Sequence, residues 1–149
     1  MPKALHGHEA SFFYGSSTDS KKVILCGGLD DNKIVQRACY ELPRQENDSS
    51  NWTTGSLVMN EHRSYFGMLF LDESVIAVGG MDPQNQSLTT SEIYNGSSWT
   101  KNSVDFPVDI AHHCLAQQSQ HNLLAIGGMQ NGQVVHLINS HYTEINIIQ

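Results

Sequence analysis

The chain has 149 residues, of which 39% are hydrophobic and only 15% are charged, whereas an average soluble domain has roughly 25% charged residues. Its longest uninterrupted apolar stretches, such as Met68–Leu71, are a few residues long, so we expect no membrane-spanning helix. The first residues lead into polar sequence, which predicts no signal peptide. Eight Lys and Arg against 15 Asp and Glu give a net charge of −7. This argues against nucleic acid as a partner, because phosphate binding needs clustered cations.

Glycine pairs that end apolar runs are the first sign of a repeat. They are Gly27-Gly28, Gly79-Gly80 and Gly127-Gly128, spaced 52 and 48 residues apart. An apolar residue and an acid follow the first two pairs, in Leu29-Asp30 and Met81-Asp82. Similar apolar runs before glycine pairs at near-equal spacing indicate three structural units of about fifty residues. We expect the glycines to be structural, since they allow a bulge or a positive φ where a strand ends close to a neighbour.

Aromatic residues recur downstream of the glycine pairs. They are Tyr40 and Trp52 in the first unit, Tyr94 and Trp99 in the second, and Tyr142 in the third. Threonine follows the last aromatic residue of each unit. We expect Tyr40, Trp52, Tyr94 and Trp99 to pack between adjacent sheets, where a large aromatic area fixes their geometry.

Short β-branched and aromatic runs alternate with turn residues along the whole chain, and no stretch has helical periodicity. The predicted strands of the first unit are Ala10–Tyr14, Val23–Cys26, Val35–Glu41 and Trp52–Leu57. Those of the second are Ser64–Leu71, Ser74–Val78, Ser91–Tyr94 and Ser98–Ser103. Those of the third are His112–Gln117, Leu123–Ile126, Val134–Ile138 and Tyr142–Ile147.

This pattern resembles the kelch repeat, most clearly in Gly79-Gly80-Met81-Asp82 followed by Ser91-Glu92-Ile93-Tyr94 and Trp99. The resemblance covers nearly the whole chain and extends to kelch-type proteins of invertebrates. It implies an all-β fold of three four-stranded antiparallel blades, over residues 8–58, 62–104 and 110–149. Because propellers usually close with more blades, this would be a partial β-propeller. Its terminal sheets would need self-association or additional blades to cover them.

The blade topology predicts which loops share a rim. The loops 30–33, 81–88 and 129–132 should emerge beside the connections 60–63 and 107–111, and binding residues usually lie on such loops. Our candidates for partner binding are Arg63, His62, Asp82, Asp30 and His112. In kelch repeats an arginine placed like Arg63 lines the channel mouth and can bind acidic groups. A salt bridge between blades is an equally good interpretation of Arg63.

The polar residues show no recognisable catalytic or metal-binding motif. His112-His113-Cys114 lie together, but neighbouring residues of a strand point to opposite faces, and no metal-ligand spacing is present. We therefore expect no catalytic residues, no metal and no cofactor, and a module that binds a protein partner. The alternatives are an enzyme related to galactose oxidase or to other kelch-propeller enzymes, and a non-functional fragment of a longer kelch protein.

The three cysteines bear on the cellular location. Cys26 ends one predicted strand and Cys39 lies on the next, so a cross-strand disulfide is geometrically feasible, and Cys114 would then pair outside this chain or stay free. Cysteines placed in this way resemble those of secreted kelch-type proteins, and four Asn-x-Ser/Thr sequons add to that impression. Small buried thiols in a cytoplasmic protein are the alternative, and we leave the location open between the two.

Overall fold

The computed structural model describes residues 4–15, 21–43, 51–53, 57–119, 122–130 and 132–135, and all regular structure in this part of the chain is β-strand. The first sheet contains β1 (Glu9–Tyr14), β2 (Lys21–Cys26), β3 (Ala38–Pro43) and β4 (Leu57–Val58). The second contains β5 (Gly67–Leu71), β6 (Ser74–Val78), β7 (Ser91–Tyr94) and β8 (Trp99–Lys101). The third unit has the hairpin β9 (Cys114–Ser119) and β10 (Asn122–Ile126), then β11 (Met129–Gln130) and β12 (Gln133–Val134). Each four-stranded sheet is antiparallel, with its strands paired in chain order.

The all-β class is confirmed, as are the four-stranded antiparallel blades of the first two units, and the described sheets do not close into a ring. The described residues contain no helix that is long and apolar enough to cross a membrane. Strands β6 and β7 have the predicted bounds. In the third unit, most of the predicted strands 134–138 and 142–147, with Tyr142, lies outside the described residues.

Several strand boundaries differ from the predicted ones for identifiable reasons. Strands β5 and β9 begin two or three residues late, because Tyr65 and His112 have positive φ angles of 52° and 57°, which an extended strand does not allow. Strand β4 ends one residue later than the predicted strand 52–57, and residues 54–56 of that prediction lie outside the described residues. Trp52 is half-buried and belongs to neither of the two described core clusters.

Two apolar layers hold the units together. The first lies between the first and second sheets and includes Phe13, Ile24, Phe66, Tyr94 and Trp99. The second lies between the second sheet and the third unit and includes Leu71, Ile76, Ile110, Leu123 and Ala125. Their burial removes apolar surface from water, which is the main favourable term in folding.

Tyr40 differs from the position predicted for it. Cys39 lies in the layer between the first two sheets, and alternate residues of a strand face opposite sides. Tyr40 therefore lies on the side of the first sheet that is turned away from the second, where it is half-buried. Tyr94 and Trp99 do pack between the sheets, with ring centroids 5.4 Å apart.

The glycine pairs allow each blade to pass close to the next. A Cβ atom on Gly27 would lie 2.4 Å from the carbonyl oxygen of Arg63, and one on Gly79 would lie 2.4 Å from that of Ile110. Both glycines also have positive φ angles, of 64° and 62°. A side chain at either position would therefore clash with backbone of the next blade, as well as strain its own backbone.

Candidate functional site

An open cleft of about 630 Å³ lies between the second and third blades on the predicted rim. We call it the inter-blade cleft. Three segments line it: the loop after β6, the connection before β9, and the start of the third unit's small hairpin. The lining residues are Met81, Asn85, Gln86, Ser87, Asp109, Ala111, His112, Met129 and Gly132. The predicted loops 81–88 and 129–132 and the connection 107–111 thus meet in one place.

A tight turn organised by Asp82 builds one wall of the inter-blade cleft. Its Oδ1 atom accepts hydrogen bonds from the backbone N–H groups of Gln84 and Gln86, at 2.9 and 2.8 Å. The N–H of Asn85 donates to the Asp82 carbonyl at 3.0 Å. A carboxylate that satisfies its own turn is a common device in such loops. Asp82 therefore shapes the wall, and its neighbours Asn85 and Gln86 face the cleft.

Asp30 plays the same part in the first blade. Its carboxylate accepts the backbone N–H groups of Asn32 and Ile34, at 2.9 and 3.0 Å, and the Gln36 side chain at 3.0 Å. Asp30 is 5% exposed. Both aspartates were candidates for partner binding, but their carboxylates accept hydrogen bonds from backbone groups of their own loops.

The opposite wall joins the third unit to its connection. Ala111 and Met129 exchange two backbone hydrogen bonds, at 3.0 and 2.7 Å. The Gln130 side chain donates to the carboxylate of Asp109 at 3.4 Å. This pairing holds Met129 in the lining of the inter-blade cleft, to which Met81, bridged in the same way to Ser64 in the second blade, also belongs.

Aromatic rings line the inner edge of the rim, and one of them belongs to the inter-blade cleft. The rings of Tyr65 and His112 stack with centroids 4.1 Å apart, and His6 lies edge-on to Tyr65 at 6.2 Å. The His112 N–H donates to the Tyr65 carbonyl, and the Tyr65 N–H donates to that of Gly7, both at 2.7 Å. A positive φ at residues with side chains as large as Tyr65 and His112 is uncommon and often marks a functional position.

Arg63 corrects one of our candidates, because no part of it reaches solvent. Its Nη2 atom donates to the carboxylate of Glu92 at 3.0 Å, and both side chains are 0% exposed. Its Nη1 atom donates to the carbonyls of Gly79 at 2.7 Å and Thr90 at 3.2 Å. The guanidinium thus links the connection to the second blade, which is the salt-bridge interpretation, and it is closed to a partner.

Glu92 was not among the candidates predicted from the sequence. Its carboxylate accepts hydrogen bonds from the backbone N–H groups of Asn60 and Glu61 and from the Asn60 side chain, at 2.6 to 3.0 Å. With Arg63 it has four donors around a fully buried charge, as a buried carboxylate requires. The only signal in the sequence is an acid within a strand whose other residues are apolar or small.

Of the remaining candidates, His112 lies in the inter-blade cleft and is exposed, whereas His62 lies at the boundary between the first two blades. The exposed His62 ring donates through Nδ1 to the Val35 carbonyl at 2.8 Å. Among the described residues, no group of three or more His, Cys, Asp or Glu side chains is placed to hold a metal ion.

His113 is buried beside the inter-blade cleft without a hydrogen-bond partner for either ring nitrogen among the described residues. Burial, reinforced by the neighbouring His112, lowers its pKa from 6.5 to about 4. The unfolded chain therefore binds more protons between these pH values, and the free energy of unfolding should fall as the pH drops below 6.5. From pH 7 to pH 5 we expect a loss of about 2 kcal/mol.

The variant His113→Phe isolates this effect, because Phe66 occupies the corresponding place in the second blade. Urea unfolding at several pH values should show that the variant lacks the 2-kcal/mol loss, within about 0.5 kcal/mol. The exposed His62→Ala variant is the control and should keep the wild-type dependence. An equal pH dependence in His113→Phe and wild type would contradict this assignment.

The chain matches no protein-family model. Among curated proteins it is similar to an F-box/kelch-repeat protein of Arabidopsis thaliana, with 29% identity over 84 residues, which are 56% of this chain and 18% of that protein. Among solved structures it is similar to YjhT, a kelch-type β-propeller, with a TM-score of 0.68 and 17% identity, over 91% of this chain and 42% of YjhT. The chain therefore has a kelch-like β-propeller fold, and the matched part is less than half of either protein.

Proposed function

We propose that this chain, whose fold is that of a kelch-like β-propeller, is a protein–protein interaction module without chemistry of its own. The proposal rests on the inter-blade cleft, where exposed loops of two blades meet on a rigid β-scaffold. Loops held in this way are where binding residues concentrate. A cleft of about 630 Å³ has room for several side chains of an extended partner segment.

The lining of the inter-blade cleft favours a particular partner chemistry. Met81 and Met129 present flexible, polarisable side chains that adapt to apolar groups of different shapes. Asp109 adds a carboxylate that accepts hydrogen bonds, and Gln86 adds an amide that donates and accepts them. We therefore propose a peptide segment that inserts an apolar side chain between the methionines and offers a donor, such as Lys or Arg, to Asp109. The net charge of −7 would attract such a segment.

The proposal can be tested with peptides selected from a random library on the immobilised wild-type chain. The dissociation constant of the selected peptides should rise at least about tenfold for Met129→Ala and for Asp109→Ala, because a lost buried contact costs about 1.4 kcal/mol or more. Thr100→Ala, an exposed position on β8, is the control and should bind like wild type. Selected peptides that bind both cleft variants as tightly as wild type would contradict the proposal.

A further inference from the structure

Both ends of the row of blades carry exposed apolar side chains. In the first sheet, Phe13 packs against the second sheet, whereas Phe12 points the other way and is 60% exposed. In the third unit, Ala125 is buried against the second sheet, whereas Ile126 is 41% exposed. We call the outward side of the first sheet, with Phe12, the leading face, and the outward side of the third unit, with Ile126, the trailing face.

On the trailing face, Gly127 has the backbone conformation of the glycines that lie at the boundaries between blades. Gly27 and Gly79 pack so tightly on the next blade that a Cβ atom would come within 2.4 Å of the carbonyls of Arg63 and Ile110. Gly127 has the same conformation, with a φ angle of 67°. Among the described residues, however, a Cβ atom on Gly127 would meet no atom closer than 3.9 Å. The backbone at Gly127 therefore matches a boundary with a following blade, and the described residues contain no such blade.

The leading face supplies the counterparts of those packed residues. The residue after each glycine pair forms a β-bridge with a residue that lies three positions before the first strand of a unit (β1, β5 or β9). The pairs are Leu29–His6, Met81–Ser64 and Met129–Ala111. Counting back one residue from these bridges makes Leu5 the counterpart of Arg63 and Ile110. The carbonyl of Leu5 is therefore in the right place to meet Gly127 of a neighbouring molecule.

Aromatic side chains in or next to the first strand of each unit also have counterparts on the leading face. Phe66 and His113, each two residues after its bridge, are buried against the preceding blade at 1% and 5% exposure. Their counterpart on the leading face is His8, whose Nδ1 atom is buried without a partner among the described residues. Phe12 corresponds in the same way to Phe70, which packs against the first apolar layer.

Backbone hydrogen bonds between the blades can continue across the same junction. The Gly28 N–H donates to the Arg63 carbonyl at 2.9 Å, and the Gly80 N–H donates to that of Ile110 at 2.8 Å. By the same count, the Gly128 N–H would donate to the Leu5 carbonyl of a neighbouring molecule.

We propose that the trailing face of one copy binds the leading face of a second copy, head to tail. The junction would repeat the contact that already forms twice inside the chain, between the same positions of successive blades. Because one chain carries both halves of this contact in matching register, the occupant that fits is another copy of it. Such a heterologous interface forms a ring if the rotation closes and a linear chain if it does not. This assembly leaves the inter-blade cleft free and does not depend on its function.

The test is the solution mass of the chain by analytical ultracentrifugation. All proteins would carry Cys114→Ser, because an exposed thiol could link copies by disulfides. We expect the wild-type faces to give a species of at least twice the 16.5 kDa of one chain. Phe12→Asp and Ile126→Asp should each reduce the mass to that of one chain. Val104→Asp, also at an exposed apolar position but on neither face, should still assemble.

Mixing the two variants distinguishes head-to-tail binding from other apolar association. The Phe12→Asp chain keeps an intact trailing face, and the Ile126→Asp chain keeps an intact leading face. Their mixture should therefore form a heterodimer, although each variant alone is a monomer. A monomeric wild type would overturn the proposal, since it would mean that these faces do not bind each other. Assembly that only one of the two substitutions abolishes, or a mixture that stays monomeric, would also overturn it.

Discussion

Replacing Glu92 with alanine should lower the free energy of unfolding by about 3 to 5 kcal/mol, because it removes the fully buried partner of Arg63 and leaves the guanidinium only the longer ion pair with Glu61, at 3.4 Å. Both side chains are 0% exposed, so the guanidinium of the variant stays shielded from bulk water. The backbone N–H groups of Asn60 and Glu61 lose their acceptor as well. Urea unfolding at pH 7, with equal m-values for variant and wild type, measures the loss.

A surface ion pair provides the control for this experiment. Lys101 donates to Glu61 at 3.1 Å but is 52% exposed, and pairs of this kind contribute less than about 1 kcal/mol. Lys101→Ala should therefore cost much less than Glu92→Ala. The double variant Arg63→Met/Glu92→Leu should recover part of the stability, because it removes both buried charges together. Equal losses in Glu92→Ala and Lys101→Ala would contradict the role that we assign to the buried pair.

Removal of the disulfide should have the next largest effect. Cys26 and Cys39 face each other across β2 and β3, are joined as a disulfide, and lie 13 residues apart in the sequence. A cross-link that closes a loop of this length restricts the unfolded chain and stabilises the fold by about 3 kcal/mol. In a chain of this size that corresponds to a fall in Tm of about 6 to 12 °C.

The second blade guides the replacement of the two cysteines. Val78 and Ser91 pair at the same register there, but the Ser91 hydroxyl is buried without a hydrogen-bond partner among the described residues, so Cys26→Val/Cys39→Ala removes the cross-link without adding such a hydroxyl. Thermal unfolding should show the lower Tm in this variant, and a reducing agent should lower the Tm of wild type but not that of the variant. A wild-type Tm that is insensitive to reduction would count against a stabilising disulfide.

Arg63 and Glu92 show why the candidate residues were harder to predict than the strands. They are 29 positions apart, and the sequence alone does not say which of its few cations meets which acid. The β-meander brings the connection before β5 onto strand β7, and only this contact makes the pair fully buried. Arg63 therefore changed from a possible binding residue to a structural one.

The inter-blade cleft shows the same limit in another way. Blade topology predicted that the loop after β6 and the connection before β9 share a rim, and the structure brings them together. The blade topology could not predict that Asp109 and Met129 would line a cleft, or that the Asp82 carboxylate would accept hydrogen bonds within its own turn. Those outcomes depend on how the second and third blades pack and on the hydrogen bonds within the Asp82 turn.

The repeat, the strand content and the order of the strands could be read from the sequence alone, because spaced glycine pairs and short apolar runs are local signals. The burial of Arg63 and Glu92, the face that Tyr40 occupies and the place of the inter-blade cleft follow from the packing of the blades. These depend on contacts between residues of different blades. Among the described residues, Gly127 has no neighbour as close as those of Gly27 and Gly79, and our proposal that a second copy binds there starts from this difference.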